Sequence, residues 1–154
     1  MVAAFSLLFR ILLGLIFLFA GLAKISDPVR FMLTLREFRL FPETVIPFLT
    51  LYLPWLEFVL GFFLMIGLLY RTSALLLAYL NTLFGIAILT VIVRGMEIDC
   101  GCFGLLADML NIPDSADMKA VVRNLFFIGM CLYIFFAKRT LLSLDDFRQW
   151  NHSV

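Results

Sequence analysis

The chain has 154 residues, 64% hydrophobic and 15% charged, with a mean hydropathy of +1.07. Soluble domains are about 45–50% apolar and about 25% charged, and a chain this short has no core large enough to hide the excess. A water-soluble globule is therefore excluded, and a formal net charge of +1 gives no broad attraction to nucleic acid.

The first apolar run, residues 5–23, is interrupted only by Ser6 and Arg10. It is close to the roughly 20 residues that cross a bilayer as a helix. Arg10 followed by "AGLA" at Ala20 to Ala23 has some features of a cleaved signal, but Val2 to Phe9 is already apolar and no polar segment precedes it. It is read as a retained first span, with Arg10 reaching for the nearer membrane surface. Next, Asp27 and Pro28 form a helix-start pair. Phe31, Leu35 and Phe38 then fall on one helical stripe, predicting a short helix at the membrane interface.

A second run, 47–69, contains one charge, Glu57, and a third, 72–93, contains none. The turn between them is expected at Tyr70 to Thr72, making the two spans antiparallel neighbours. The longest polar stretch follows, Arg94 to Lys119, and carries "EIDCGCFG". The fourth run is 120–137, and the mixed tail includes Trp150 and His152, the only histidine. In hydrocarbon every backbone group must be satisfied internally, so each run is a helix. The expected fold is all-α: one membrane domain, 1–154, built as a four-helix bundle with a short interfacial helix. Gly14, Gly21, Gly61, Gly67 and Gly85 are expected to permit close helix contact.

With four spans, the first and third loops share one side of the membrane. Lys24, the short helix, the entrance to the second span and the cysteine loop therefore face the same way. That side carries seven basic residues against five on the other, a bias that on its own turns the cysteines weakly toward the cytoplasm.

Cys100 and Cys102 are separated only by Gly101. A disulfide across so small a ring departs from relaxed geometry, and strained disulfides are the labile, exchange-prone ones. A redox-active dithiol is one outcome; a structural disulfide or two idle thiols is the other. Zinc would need four ligands, and beyond the pair the chain offers His152, across the membrane, so no metal is expected. Cys131 lies mid-span and is read as packing.

Glu57 is a lone carboxylate inside a span, where charge is costly. It is either protonated or balanced by a cation, and Lys24 is on the same side, although their depths differ by as much as ~15 Å. The pair is a structural pin, or Glu57 is a proton acceptor or a polar group beside a quinone head.

"GLAKISDP", "LPWLEFVLGFFLMIGLLYR" and "DCGCFG", in that order over residues 5–137, resemble the DoxX-like membrane proteins and, within them, the MauE branch named for methylamine utilisation. The resemblance implies a multi-pass protein of the bacterial inner membrane. It further implies a thioredoxin-like or other redox partner and, for the branch, maturation of a periplasmic, disulfide-rich enzyme. It makes Cys100 and Cys102 the redox pair, groups Lys24, Trp55 and Glu57 as a polar signature, and favours a periplasmic cysteine loop against the charge count. The function expected is thiol–disulfide exchange with a redox partner, with quinone as a further acceptor; the alternative is a non-catalytic membrane subunit or assembly factor.

Overall fold

The computed structural model describes residues 2–96 and 118–137. Their regular secondary structure is entirely helical: α1 (Val2–Ser26), α2 (Pro28–Glu37), α3 (Ile46–Ile66), α4 (Tyr70–Val93) and α5 (Met118–Phe136). All but α2 are long and apolar enough to cross a membrane. The expectation of an all-helical membrane bundle holds.

The pattern of burial is that of a protein dissolved in lipid. On α1 the buried residues are Ser6, Arg10, Leu13, Gly14, Phe17, Ala20, Gly21 and Lys24, a stripe at the helical period. Phe5, Leu8, Leu12 and Phe19 face outward. The polar side chains of the span therefore lie inside, while large apolar ones are found on both faces, since lipid is as apolar as leucine and polar groups gain most by being enclosed. Arg10 follows this logic. It is 1% exposed, covered by protein rather than extended to the surface as its sequence position suggested.

Helices α1 and α3 run antiparallel at backbone contact. A Cβ on Gly14 would lie 2.9 Å from the Gly61 carbonyl oxygen, and one on Gly21 would lie 2.7 Å from the Phe58 nitrogen and 2.8 Å from the Pro54 oxygen. A Cβ on Gly61 would meet the Leu18 nitrogen at 2.7 Å. These three glycines act as expected; two others do not. A Cβ on Gly85 would meet nothing closer than 3.9 Å, and Gly67 serves the chain reversal. There φ is +76°, and its N–H donates to the Phe63 carbonyl at 3.0 Å, the left-handed helix end that glycine favours. The turn thus spans Gly67 to Leu69, three residues before its expected place, and α4 begins at Tyr70, two residues before the expected start at 72. The charge at Arg71 marked the surface, but Gly67 is what stops the helix.

Packing is unevenly distributed. α1 lies extensively on α3, and α4 on α5, whereas α3 touches α4, and α1 touches α5, much more sparingly. Arg71 crosses between elements, donating to the Ala137 carbonyl at 3.3 Å. Helix α2 starts as its sequence indicated, with Pro28 in the first turn and Asp27 Oδ1 accepting from the Arg30 N–H at 3.1 Å. Its apolar stripe, however, meets protein. Phe31, Leu35 and Phe38 are buried in a cluster with Ile46, Ala87 and Ile88, so α2 closes one end of the bundle.

Candidate functional site

The close approach of α1 to α3 sets the level of everything at this end. Gly21 sits opposite Pro54 and Phe58, so Lys24, three residues on, lies only about 4.5 Å further along the axis. Helical side chains lean toward the N-terminus of their own helix, which carries the lysine chain back into the bundle. Glu57 is brought inward by the same contact, since Pro54, Glu57, Gly61 and Leu64 form the buried face of α3. Lys24 Nζ donates to Glu57 Oε2 at 2.6 Å, with both side chains about 95% covered. The apparent depth mismatch disappears because the start of α3 extends past the end of α1.

Aromatic rings enclose the ammonium. Its nitrogen is 5.5 Å from the Phe31 ring centre and 5.4 Å from that of Phe84, within cation–π range. Helix α2 therefore covers the pair from the end of the bundle, and α4 from the side. Helices α4 and α5 also bring Asn81, Arg123 and Asn124 to a cavity of about 30 Å³ shared with Lys24 and Glu57. Asn81 Nδ2 donates to the Leu77 carbonyl at 2.9 Å. Asn124, 4% exposed, has an amide nitrogen with no hydrogen-bond partner.

Chemically the site is a charged pair inside a low-dielectric shell with amides at hand. A buried pair adds little stability over a hydrophobic replacement, but losing one partner strands the other charge at considerable cost. Such a pair ties α1 to α3 by a charge-assisted hydrogen bond. Lys24 and Glu57 are thus together in the structure. Trp55 is not with them: it is 51% exposed, on the outward face of α3, edge-on to Phe58. Cys131 is a free thiol with no exposed surface, packed in the bundle core. Cys100 and Cys102 lie outside the described residues. The described chain stops at Met96 and resumes at Met118, on the side of the bundle where α2 sits. Asn81, Phe84 and Asn124 were not singled out from sequence. The signal existed for the asparagines, because an amide within "AYLNTLF" or "VVRNLFF" is as anomalous in lipid as an isolated charge.

The family described as methylamine utilisation protein MauE matches residues 2–137. The chain belongs to the MauE family. It is 30% identical to the methylamine utilization protein MauE of Paracoccus denitrificans, over 81% of this chain and 65% of that protein. It is 33% identical to the Methylophilus methylotrophus protein of the same name, over 86% of this chain and 67% of that one. With the Methylorubrum extorquens MauE it shares 38% identity over 61% of this chain and 51% of the relative. The chain spans about half to two thirds of the length of these MauE proteins. No solved structure matches it.

Proposed function

We propose that this MauE-family protein is an inner-membrane thiol–disulfide redox protein of the DoxX and MauE type, serving a methylamine-utilisation system. In this role Cys100 and Cys102 face the periplasm and exchange with a thioredoxin-like partner. The observation that carries the proposal is the Cys-Gly-Cys spacing in the chain of a MauE-family member. A partner thiolate attacks one sulfur of the Cys100–Cys102 disulfide, forming a mixed disulfide and releasing the other cysteine as thiolate. The partner's second thiolate then attacks its own sulfur, and two electrons and two protons have moved to the Cys100–Cys102 pair. A membrane quinone would serve as onward acceptor, taking up two electrons and two protons as the pair is reoxidised. The polar cavity of about 30 Å³ is too small for a quinone ring, while an apolar space of about 90 Å³ between α2, α3 and α4 adjoins it across Phe84.

The test is equilibration of the purified protein in glutathione buffers, read by mass spectrometry. A reversible two-electron transition at a relatively oxidising potential is expected, with a single Cys100→Ser or Cys102→Ser replacement trapping the mixed disulfide and Cys131→Ser without effect. A pair that stays reduced throughout, or stays oxidised below about −300 mV, where structural disulfides sit, leaves a non-catalytic assembly factor instead.

A further inference from the structure

The cavity beside the ion pair has no role in the exchange just described, and its contents can be inferred from its walls. It lies where the two tightly packed helix pairs meet. Lys24 and Glu57 come from one pair, Asn81 and Asn124 from the other. Three features bear on what fills it. Its volume of about 30 Å³ exceeds the ~10–15 Å³ that a single water requires. Its wall contains a donor that nothing satisfies, the Asn124 amide nitrogen, in a side chain 96% covered. Such orphans are rare in native structures, because leaving one unmet costs about 1–3 kcal/mol. Finally, the ammonium of Lys24 carries three N–H groups and a carboxylate offers about four acceptor positions, and the bond between them uses one of each.

An apolar void of this size stays dry, but a void with several convergent polar groups binds water. We propose that the cavity is a water site, in which one or two molecules accept from Asn124 Nδ2 and hydrate the Lys24–Glu57 pair. Through this water the pair exchanges protons with the aqueous side that carries the cysteine loop. The direction follows from depth. Asn124 is six residues, about 9 Å, from the start of α5. Half-buried Arg123 lies beside it in the cavity wall. The far end of α5, Phe136, is about 18 Å from Asn124, and Lys24 lies beside the loop-side end of α1 at Ser26. The water therefore sits nearer the loop end than the opposite surface. Gly85 leaves the space open on the α4 side, since even an added Cβ would stop 3.9 Å from Asn124 Nδ2. Supplying protons to the thiols rests on the function proposed above; the water site itself does not.

The experiment is solid-state NMR on the full chain in lipid vesicles, with ¹⁵N-labelled lysine and asparagine, reading magnetisation transferred from water protons. The Lys24 signal is identified by its loss in Lys24→Met, and that of Asn124 by its loss in Asn124→Leu. In the unaltered protein both nitrogens should receive water magnetisation promptly. Ala20→Val, which narrows the cavity without touching a polar group, should slow transfer to Lys24 at least tenfold. Asn124→Leu should do the same, and Asn124→Ser should restore it. If Lys24 and Asn124 receive nothing in the unaltered protein, or if Ala20→Val leaves transfer unchanged, the cavity is dry and the proposal is wrong. Ala20→Val decides the matter even if Asn124→Leu does not fold. The readout involves no cysteine, so its failure and failure of the thiol exchange are separate results.

Discussion

Lys24 and Glu57 show how much a single pair constrains a bundle in lipid. Replacing Glu57 by glutamine leaves an enclosed ammonium 2.6 Å from a neutral amide, and removing one partner of a buried pair typically costs about 3–5 kcal/mol. Glu57→Gln should lower unfolding stability in detergent by that order, and adding Lys24→Met should recover part of the loss. Losses that simply add in the double variant would show that the two residues are not energetically coupled. Sequence alone located both residues, because charge in a span is conspicuous. It did not establish that they meet, because rise per residue measures depth along each helix separately. How far α3 slides past α1 is decided by Gly21 against Pro54 and Phe58. Nor did it flag Asn124, whose importance lies in the cavity it faces rather than in its own chemistry.

Among the elements, the α1–α3 contact is the most sharply specified. Cβ atoms at Gly21 or Gly61 would press on backbone atoms at 2.7–2.8 Å, which cannot rotate away as a side chain can. Gly21→Ala and Gly61→Ala should each cost about 1–3 kcal/mol, the usual range for overpacking. Gly85→Ala should be neutral or mildly stabilising, because alanine is the better helix former by about 1 kcal/mol and the space is open. Thermal unfolding in detergent would compare the three, and an equal loss at Gly85 would mean that helix separation is not what these glycines set. The spans were legible as long apolar runs, and the start of α2 from Asp27 and Pro28. Less legible was where α3 stops, since hydropathy continues unbroken through Gly67 to Leu69. The role of α2 was legible only in part: its stripe of Phe31, Leu35 and Phe38 requires an apolar neighbour, and amphipathicity does not say whether that is lipid or the ends of α3 and α4.

For the whole molecule, the order of spans puts Met96 and Met118, which bracket the cysteines in sequence, on the opposite side of the membrane from Phe136. With a periplasmic loop, a reporter fused after Val154 should behave as cytoplasmic. Thiol reagents that cannot cross the bilayer should then label Cys100 or Cys102 in reduced, intact cells stripped of their outer membrane, leaving Cys131 unlabelled. Labelling confined to inverted vesicles would turn the molecule over, as its distribution of lysine and arginine suggests. The uneven packing among the spans has a consequence for biosynthesis. The helices that pack most tightly, α1 with α3 and α4 with α5, are consecutive spans. A ribosome delivering this chain completes one glycine-sealed unit by Ile66, before α4 has left the exit tunnel. Maturation is then the lateral meeting of two preassembled hairpins in the bilayer, with the asparagines of the later one arriving against a charge pair already made by the first.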